Sequence, residues 1–289
     1  MSRLITLIAM LCLTPALALA QTGSAKLEGR LQKIQATKTI SVAYRTDALP
    51  FSYEEIDKKP AGYMVELCRG VIGGIERQIG VVPLQVNWVP VTLQARFAAV
   101  SSGQADMECG ATTVTLGRMK EVDFSTLTFV DGTGLLVRTS TTGNSVMDLA
   151  GKKIGVISGT SNERALAEAM KAKLVNAQIV LVKTRDEGLA QLEAGTLDAF
   201  ASDRVLLIGL ASKAKDPKSY KLMGDALSYE PYAIVLPRGD WAMRQAVNAA
   251  LAQIYSSSTL PEIYNRWFGG MGRPSPILEV MYALGRLPE

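Results

Sequence analysis

The stretch KIGVISGTSNERALAEAMKAKLVNAQIVLV, residues 153–182, indicates the fold class of this chain. Two short apolar runs within it, Lys153–Ile157 and Gln178–Val182, are predicted as β-strands. The segment between them, Asn162–Lys173, is predicted as an α-helix. Apolar strands that alternate with helices are typical of an α/β sheet whose two faces are both covered by helices.

The same alternation extends to both sides of this stretch. A first group of predicted elements comprises, in order, strand Thr39–Tyr44, helix Gly62–Gly80, strand Leu84–Val89, helix Leu93–Ser101, strand Asp106–Gly110 and a helical turn at Leu116–Glu121. The second group, around residues 153–182, adds strand Leu135–Arg138, helix Glu187–Gly195, strand Ala199–Ala201 and helix Arg204–Ser212. The elements that remain are strand Tyr232–Pro237 and helices Asp240–Ser256 and Leu260–Phe268.

The pattern therefore contains two α/β units, with a surplus strand and helices at the end. The surplus is explained most simply if the chain returns to complete the first unit. We expect two lobes joined by two crossings, near Val130–Gly134 and Ser228–Tyr232, where small or turn-forming residues lie. The segment after Gly269 is rich in Pro and Gly and is predicted to be loosely structured.

The composition excludes several classes of function. The chain has 289 residues, of which 48% are hydrophobic and 20% are charged, and it contains no histidine. Ser-His-Asp and Cys-His catalysis, an imidazole general base and histidine-bearing zinc or copper sites are therefore excluded. Because 3 cysteines cannot form a four-thiolate site either, we expect no metal and no cofactor. A net charge of +4 is small and does not indicate nucleic-acid binding.

Residues 1–20 have the features of an export signal. Arg3 precedes the apolar run Leu4–Leu13, and Ala18-Leu19-Ala20 places small residues where a signal peptidase reads the chain. The alternative is a retained membrane anchor, which the short apolar run and Pro15 disfavour. We expect an exported, periplasmic protein whose signal is cleaved near Ala20.

Export would place Cys68 and Cys109 in an oxidising compartment. The two thiols could form a disulfide there, or they could remain two small buried side chains. The sequence leaves both alternatives open, because it does not show whether their Cβ atoms meet.

Motifs along most of the chain match a known family in the family's order. They are Arg45 with Pro50-Phe51-Ser52-Tyr53, Gly62-Tyr63 with Glu66-Leu67, Arg96, Gly103, Asp106 with Glu108-Cys109-Gly110-Ala111-Thr112-Thr113, Arg118 with Asp123-Phe124-Ser125, Asp148-Leu149-Ala150-Gly151-Lys152, Ser158-Gly159-Thr160, Ala199-Phe200 with Asp203, and Ile263-Tyr264 with Trp267-Phe268-Gly269. With these segments the chain resembles the extracytoplasmic solute-binding proteins of ABC transporters for amino acids. It looks most like the branch that binds glutamate and aspartate.

The resemblance implies a two-lobed periplasmic-binding-protein fold of type II, in which each lobe is an α/β sandwich and two hinge crossings join the lobes. Lobe 1 would comprise residues 27–129 and 233–269, lobe 2 residues 135–228, the hinge strands residues 130–134 and 229–232, and a C-terminal tail residues 270–289. The expected function is the capture of an acidic amino acid between the lobes and its delivery to membrane permease subunits. We expect a monomer without enzymatic activity.

Two alternatives remain open for the function. The first is an enzyme on the same fold, such as a dehydratase of small acids, in which Glu66, Glu108, Asp203 or a lysine would act as general acid or base. The second is a ligand-sensing module.

The resemblance also implies a ligand site that both lobes build, from residues Arg45, Arg96, Ala111, Thr113, Thr160, Ser161, Arg185 and Asp203. Arg96 would hold the α-carboxylate of the ligand, since a guanidinium group donates two parallel hydrogen bonds to a carboxylate. Asp203 would pair with the ammonium group, and Arg45 and Arg185 would bind an acidic side chain. From spacing alone, each arginine could instead be solvated and Asp203 could be a helix N-cap.

The hydroxyl residues of the expected site lie at the starts of predicted helices. Thr113 would contact the ligand through its hydroxyl and backbone, together with the carbonyl group of Ala111. Thr160 and Ser161 would contribute from the second lobe, since the first turn of a helix favours an anion. Helix capping is the alternative for these residues, and Thr160 with Glu163 fits a capping box.

Some positions depart from the family pattern. Met64 replaces an acidic residue, Leu93 and Ala111 stand where the glutamate/aspartate branch has serines, and Arg185 stands where it has histidine. These changes concern the identity of the ligand more than the kind of activity. Arg118 is expected to form a structural ion pair with Asp123 or Glu121.

Overall fold

The computed structural model describes residues 27–288, and the predicted export signal lies outside them. The β-strands of the described part are, in chain order, β1 (Thr39–Arg45), β2 (Asp47–Ala48), β3 (Ser52–Glu54), β4 (Pro60–Ala61), β5 (Gln85–Val91), β6 (Met107–Glu108), β7 (Asp123–Asp131), β8 (Thr133–Arg138), β9 (Lys153–Ile157), β10 (Gln178–Val182), β11 (Ala199–Asp203), β12 (Tyr220–Leu222) and β13 (Glu230–Leu236). The α-helices are α1 (Gly29–Thr37), α2 (Tyr63–Ile79), α3 (Arg96–Ser101), α4 (Ser161–Ala172), α5 (Arg185–Glu193), α6 (Arg204–Ala211), α7 (Trp241–Ser256), α8 (Thr259–Phe268) and α9 (Pro276–Leu284).

Two five-stranded sheets organise the molecule, and the chain passes between them twice. The first sheet has the strand order β5-β1-β6-β13-β7, and the second has the order β10-β9-β11-β8-β12. The chain leaves the first sheet between Asp131 and Thr133 and has returned to it at Glu230, where β13 begins. We call each five-stranded sheet, with the helices that pack on it, the first and the second lobe. A small sheet of β2, β3 and β4 packs on β1 and α2 and belongs to the first lobe.

Each sheet combines parallel and antiparallel pairs. In the first lobe β1 is parallel to β5 and β6, whereas β13 is antiparallel to β6 and β7. In the second lobe β9 is parallel to β10 and β11, whereas β8 is antiparallel to β11 and β12. In both lobes the parallel strands therefore end at one common edge, where ligands bind in open α/β sheets.

The apolar pattern of α2 explains how this helix is fixed on the first lobe. Apolar residues that recur at three- and four-residue spacing form its buried face, namely Met64, Leu67, Val71, Ile75 and Ile79. α7 packs against α2, and a Cβ added to Gly74 would lie only 2.5 Å from the Cβ of Ala250. The close approach of the two helices therefore requires glycine at this position.

A disulfide joins Cys68 of α2 to Cys109, the residue that follows β6. It closes a loop with a sequence separation of 41 residues, which corresponds to about 4 kcal/mol in the chain-entropy account of disulfides. Of the two alternatives that the sequence left open, the structure has the disulfide.

The segment after Gly269 is not loosely structured, contrary to the prediction. Pro276 occupies the first turn of α9, and the hydroxyl oxygen of Ser275 accepts a hydrogen bond from the Leu278 N–H. The buried side chains of α9 include Tyr282, whose hydroxyl lies 2.7 Å from the hydroxyl of Tyr63 in α2. The helix therefore belongs to the first lobe.

Within residues 27–288, no helix combines the length and hydrophobicity needed to cross a membrane.

Candidate functional site

The predicted site residues lie at the ends of strands and the starts of helices where the two lobes face each other. Arg45 is the last residue of β1 and Asp203 is the last residue of β11. Arg96, Ser161 and Arg185 are the first residues of α3, α4 and α5. The topology therefore places polar side chains from both sheets at one common region.

Arg45 and Arg185 are brought together by an aspartate that the sequence analysis missed. The Asp47 carboxylate lies 2.5 Å from Nη2 of Arg45 and 3.2 Å from Nη1 of Arg185. Both arginines are buried, so neither is the solvated surface residue that spacing alone allowed. Burial lowers the pKa of Arg45, and Arg185 lowers it further by charge repulsion.

The predicted start of helix α5 at Glu187 is wrong by two residues. Helix α5 begins at Arg185 and not at Glu187, because the hydroxyl oxygen of Thr184 accepts a hydrogen bond from the Glu187 N–H at 3.1 Å. This cap fixes the helix start so that the Arg185 side chain reaches the first lobe at Asp47.

Thr113 and Ser161, from opposite lobes, meet at Glu230. Their hydroxyl groups donate hydrogen bonds of 2.8 and 2.7 Å to the same carboxylate oxygen, Oε2. The other oxygen accepts from Thr133 and Ser228 near the crossings. Glu230 is only 1% exposed. Because it accepts hydrogen bonds from residues of both lobes, it links them beside the predicted ligand contacts.

Neither Glu230 nor Asp47 was predicted as a site residue, although the sequence carries a signal for Glu230. A carboxylate directly before an apolar strand at a crossing is unusual in a buried segment and needs partners. Asp47 carries no such signal, because the two-residue strand in which it lies has no detectable periodicity.

Arg96 is almost fully buried and incompletely paired. Its Nη1 donates a hydrogen bond to the Leu93 carbonyl oxygen, and its guanidinium carbon lies 4.2 Å from the ring centroid of Phe97. Burial lowers the pKa of Arg96 to about 9, and neighbouring Arg118 contributes to the decrease. An anion bound here would restore the interactions that burial removes from the guanidinium group.

A second buried carboxylate, Glu108, lies close to these arginines. Its Oε2 accepts a hydrogen bond of 3.0 Å from the Thr112 hydroxyl. Burial raises the pKa of Glu108, while Arg96 and Arg45 partly oppose the increase. A Cβ added to Gly110 would overlap its Oε1, so a larger residue there would require the carboxylate to shift.

Asp203 does not cap helix α6, although its position allowed that alternative. Its side chain makes no capping hydrogen bond, and the Val205 N–H donates instead to Asp131 at 3.0 Å. Burial raises the pKa of Asp203, and the negative charge of Glu230 raises it further. Asp203 is thus a buried carboxylate that lies at the end of a strand and is not used by the backbone.

Thr160 acts as a helix cap. Its hydroxyl oxygen accepts from the Glu163 N–H at 3.1 Å, and the hydroxyl donates to the Ile157 carbonyl at 2.7 Å. The Glu163 carboxylate accepts from the Gly159 N–H, one residue before the position that a capping box requires. Ala111 is half-buried and packs on the core of the first lobe.

The predicted ion pair of Arg118 with Asp123 or Glu121 is wrong. Arg118 Nη1 donates a hydrogen bond of 2.7 Å to the Thr113 carbonyl oxygen, while the Asp123 carboxylate accepts from the Gly239 N–H. Burial lowers the pKa of Arg118, which Glu230 and Asp203 oppose by their negative charge. Arg118 therefore faces the site.

The site has buried polar atoms of both signs without hydrogen-bond partners in residues 27–288. They are Arg45 Nε and Nη1, Arg96 Nε, Arg185 Nε, Glu108 Oε1 and Asp203 Oδ1. Unpaired buried polar atoms are rare in folded proteins because each is costly. Their concentration between two lobes indicates a site for a ligand with both anionic and cationic groups.

A family model and individual relatives of known name agree on the family of this chain. Residues 40–270 match the family described as bacterial extracellular solute-binding proteins, family 3. A protein of Pseudomonas aeruginosa named L-glutamate/L-aspartate-binding protein is 35% identical over 84% of this chain and 81% of its own length. The glutamate/aspartate import solute-binding protein of Escherichia coli is 30% identical over 91% of this chain and 87% of its own length.

Solved structures support the same architecture. An ancestral arginine-binding protein bound to arginine superposes with a TM-score of 0.70 at 26% identity, and the match covers 80% of this chain and 99% of that protein.

Proposed function

Because this chain belongs to family 3 of the bacterial extracellular solute-binding proteins and has their type II periplasmic-binding-protein fold, we propose that it captures glutamate or aspartate between its two lobes. The named binding activity of the relatives from P. aeruginosa and E. coli supports this ligand class. In this proposal the loaded protein is a periplasmic monomer that delivers the amino acid to the permease of an ABC transporter.

The single observation that carries the proposal is the set of unpaired buried atoms between the lobes. An acidic amino acid has two carboxylates and one ammonium group, and burial requires a partner for each charge. Three arginines of the site offer unpaired N–H groups, and Asp203 offers an unpaired carboxylate oxygen. The donors and acceptors that lack partners therefore match the charges of an acidic amino acid in sign, with the arginines available for its two carboxylates and Asp203 for its ammonium group.

We assign the roles as follows. Arg96 pairs with the α-carboxylate, Asp203 with the ammonium group, and Arg45 and Arg185 with the side-chain carboxylate. The remaining ligand contacts come from residues at helix starts and from the segment after β6, namely Ala111, Thr113, Thr160 and Ser161. Arg118 joins this set because its charge faces Glu230 and Asp203.

Binding drives closure in this proposal because the ligand contacts both lobes only when they meet. A ligand shifts an equilibrium between open and closed forms by its differential affinity for them. The lobe limits predicted from the sequence, residues 27–129 with 233–269 and residues 135–228, are part of the proposal, with hinges at residues 130–134 and 229–232 and with α9 added to the first lobe.

Isothermal titration calorimetry of the mature protein against the amino acids and several dicarboxylates tests the function. We expect glutamate or aspartate to bind best, with a micromolar affinity that corresponds to about 8 kcal/mol. Arg96→Ala and Asp203→Ala should each abolish binding, because each leaves one ligand charge buried without a partner. Arg77→Ala is the matched control, since Arg77 is an exposed arginine of α2. Preferential binding of neutral amino acids or plain dicarboxylates would contradict the proposal.

One observation favours a second candidate, an enzyme that acts on a small acid. Glu108 is a fully buried carboxylate whose pKa is raised by burial, which is a property of general acids. Turnover of a bound acid by the purified protein, followed by nuclear magnetic resonance, would favour this candidate over transport.

A further inference from the structure

The proposed side-chain pocket already contains a carboxylate of the protein. Asp47 lies in β2 of the first lobe, and its two oxygens contact different arginines, Oδ1 with Arg45 and Oδ2 with Arg185. Arg45 belongs to the first lobe and Arg185 to the second. Asp47 is thus the counter-ion of both guanidinium groups.

This ion pair differs from a solvated surface pair. The side chains of Arg45 and Arg185 are 0% and 5% exposed, and that of Asp47 is 28% exposed. Burial opposes ionisation of Asp47, but Arg45 and Arg185 outweigh it and hold the pKa of Asp47 below its ordinary value. The aspartate is therefore negatively charged at neutral pH, and the surrounding protein screens its charge less than water would.

Asp47 does not use all of the donors that the two arginines present. Nε and Nη1 of Arg45 and Nε of Arg185 remain buried without a partner. A ligand side chain that binds these atoms shares the two guanidinium groups with Asp47. An acidic side chain would thereby place a second carboxylate beside the first, and like charges at such a site repel.

A neutral amide side chain bound beside Asp47 would not be repelled by its charge. Its carbonyl oxygen can accept from the arginines, while its NH₂ group can donate to a carboxylate. With Asp47 present, the two arginines and the aspartate leave one net positive charge for the ligand; without it, they would leave two.

We propose that Asp47 sets the charge selectivity of the side-chain pocket by lowering the preference for an acidic over an amide side chain. The inference rests on the proposed function, since it takes Arg45 and Arg185 as the side-chain partners. It assigns the ligand class as acidic amino acids together with their amides, glutamine and asparagine, with the acids bound more tightly.

The test compares the dissociation constants of glutamate and glutamine in one calorimetric series. Asp47→Asn removes the charge and keeps the shape, and Asp47→Ser removes both. We expect the ratio of glutamine to glutamate dissociation constants to increase at least tenfold in both variants, which corresponds to about 1.4 kcal/mol. Asp57→Asn is the matched control, because Asp57 forms an exposed ion pair with Lys59 and its loss changes the net charge equally. Its ratio should equal that of the wild type.

The readout separates selectivity from a general structural effect. If Asp47 had a purely structural role, its substitution would weaken the binding of glutamate and glutamine by the same factor. An unchanged or decreased ratio would overturn this inference and would leave the proposed function intact. If the wild type binds neither glutamate nor aspartate, the proposed function fails and the inference fails with it.

Discussion

At the scale of single residues, the aspartates Asp131 and Asp203 have different roles at the start of α6. Asp131 accepts hydrogen bonds from the backbone N–H groups of Gly132 and Val205, at 2.8 and 3.0 Å. Asp203, which occupies the N-cap position, makes no capping bond. Because a residue from another strand supplies the cap, the Asp203 carboxylate remains available for a ligand ammonium group.

These carboxylates predict that affinity decreases as the pH falls. Burial raises the pKa of Asp131 to about 7, with the charge of Asp203 contributing, and burial also raises the pKa of Asp203. A ligand ammonium group favours the ionised carboxylates, so binding must release a proton wherever the free protein holds one. Calorimetry at pH 8, 7 and 6 should show the affinity falling by up to about tenfold per pH unit below 7. The binding enthalpy should differ between two buffers of different ionisation enthalpy, because the released proton is taken up by the buffer.

Asp131→Asn provides the control for this prediction. An asparagine keeps a carbonyl oxygen for the Val205 N–H but removes the group whose pKa lies near 7. The pH dependence should become weaker in the variant. An affinity that stays constant between pH 8 and 6 in the wild type would contradict the assignment of Asp203 to the ligand ammonium group.

Which site residues the sequence could predict depends on how far their partners lie along the chain. Arg96 and Asp203 were expected from the family resemblance, and the structure places both in the buried region between the lobes. Glu230 could not be assigned, because its partners Thr113 and Ser161 are distant in sequence and meet only after both lobes have formed. The same reason concealed the pairing of Asp47 with Arg185, residues separated by 138 positions.

At the scale of elements, apolar runs bounded by polar residues were predicted well, whereas the shortest strands and one long strand, β7, were not. Strands Lys153–Ile157 and Gln178–Val182 have the predicted limits, because each apolar run is bounded by polar or turn-forming residues. The three strands β2, β3 and β4 have two or three residues each, which is too short for any periodicity. Strand β7, Asp123–Asp131, was missed, and it is in the first sheet beside β13.

The contact of α6 with the first lobe predicts a variant that hinders closure without touching the ligand. A Cβ added to Gly209 would lie 2.2 Å from the carbonyl oxygen of Leu49, which belongs to the other lobe. Gly209→Ala should therefore weaken glutamate binding at least tenfold, or about 1.4 kcal/mol, because the closed form cannot accommodate the methyl group. Alanine favours a helix over glycine by about 1 kcal/mol, so the fold should persist.

Gly270→Ala is the matched control for this variant, since a Cβ there meets no atom within 4 Å. Calorimetry gives the affinities, and thermal unfolding verifies that both variants are folded. Equal affinity of Gly209→Ala and the wild type would show that α6 does not approach Leu49 in the ligand-bound form.

At the scale of the whole molecule, the connections between the lobes and the polar site coincide. Both crossings of the chain lie at the ends of sheet strands, and Glu230, at the second of them, accepts hydrogen bonds from residues of both lobes. The disulfide is confined to the first lobe, where it ties α2 to the segment that leads to Thr113. The arrangement therefore stiffens one wall of the site and leaves the relative position of the lobes to the crossings and the ligand.

This arrangement predicts that ligand binding makes the molecule more compact. Without a ligand, Asp47 offsets only part of the positive charge of Arg45, Arg96 and Arg185 at the site, and the repulsion that remains favours separation of the lobes. Glutamate supplies the missing negative charge and bridges the lobes, so the closed form becomes the more populated one. A compact chain of this size has a radius of gyration of about 18 Å. Small-angle X-ray scattering should give a value close to this with saturating glutamate and a larger one without it. Gly209→Ala should stay at the larger value in both conditions. Identical scattering of the wild type with and without ligand, at a concentration where calorimetry shows saturation, would show that binding does not close the lobes.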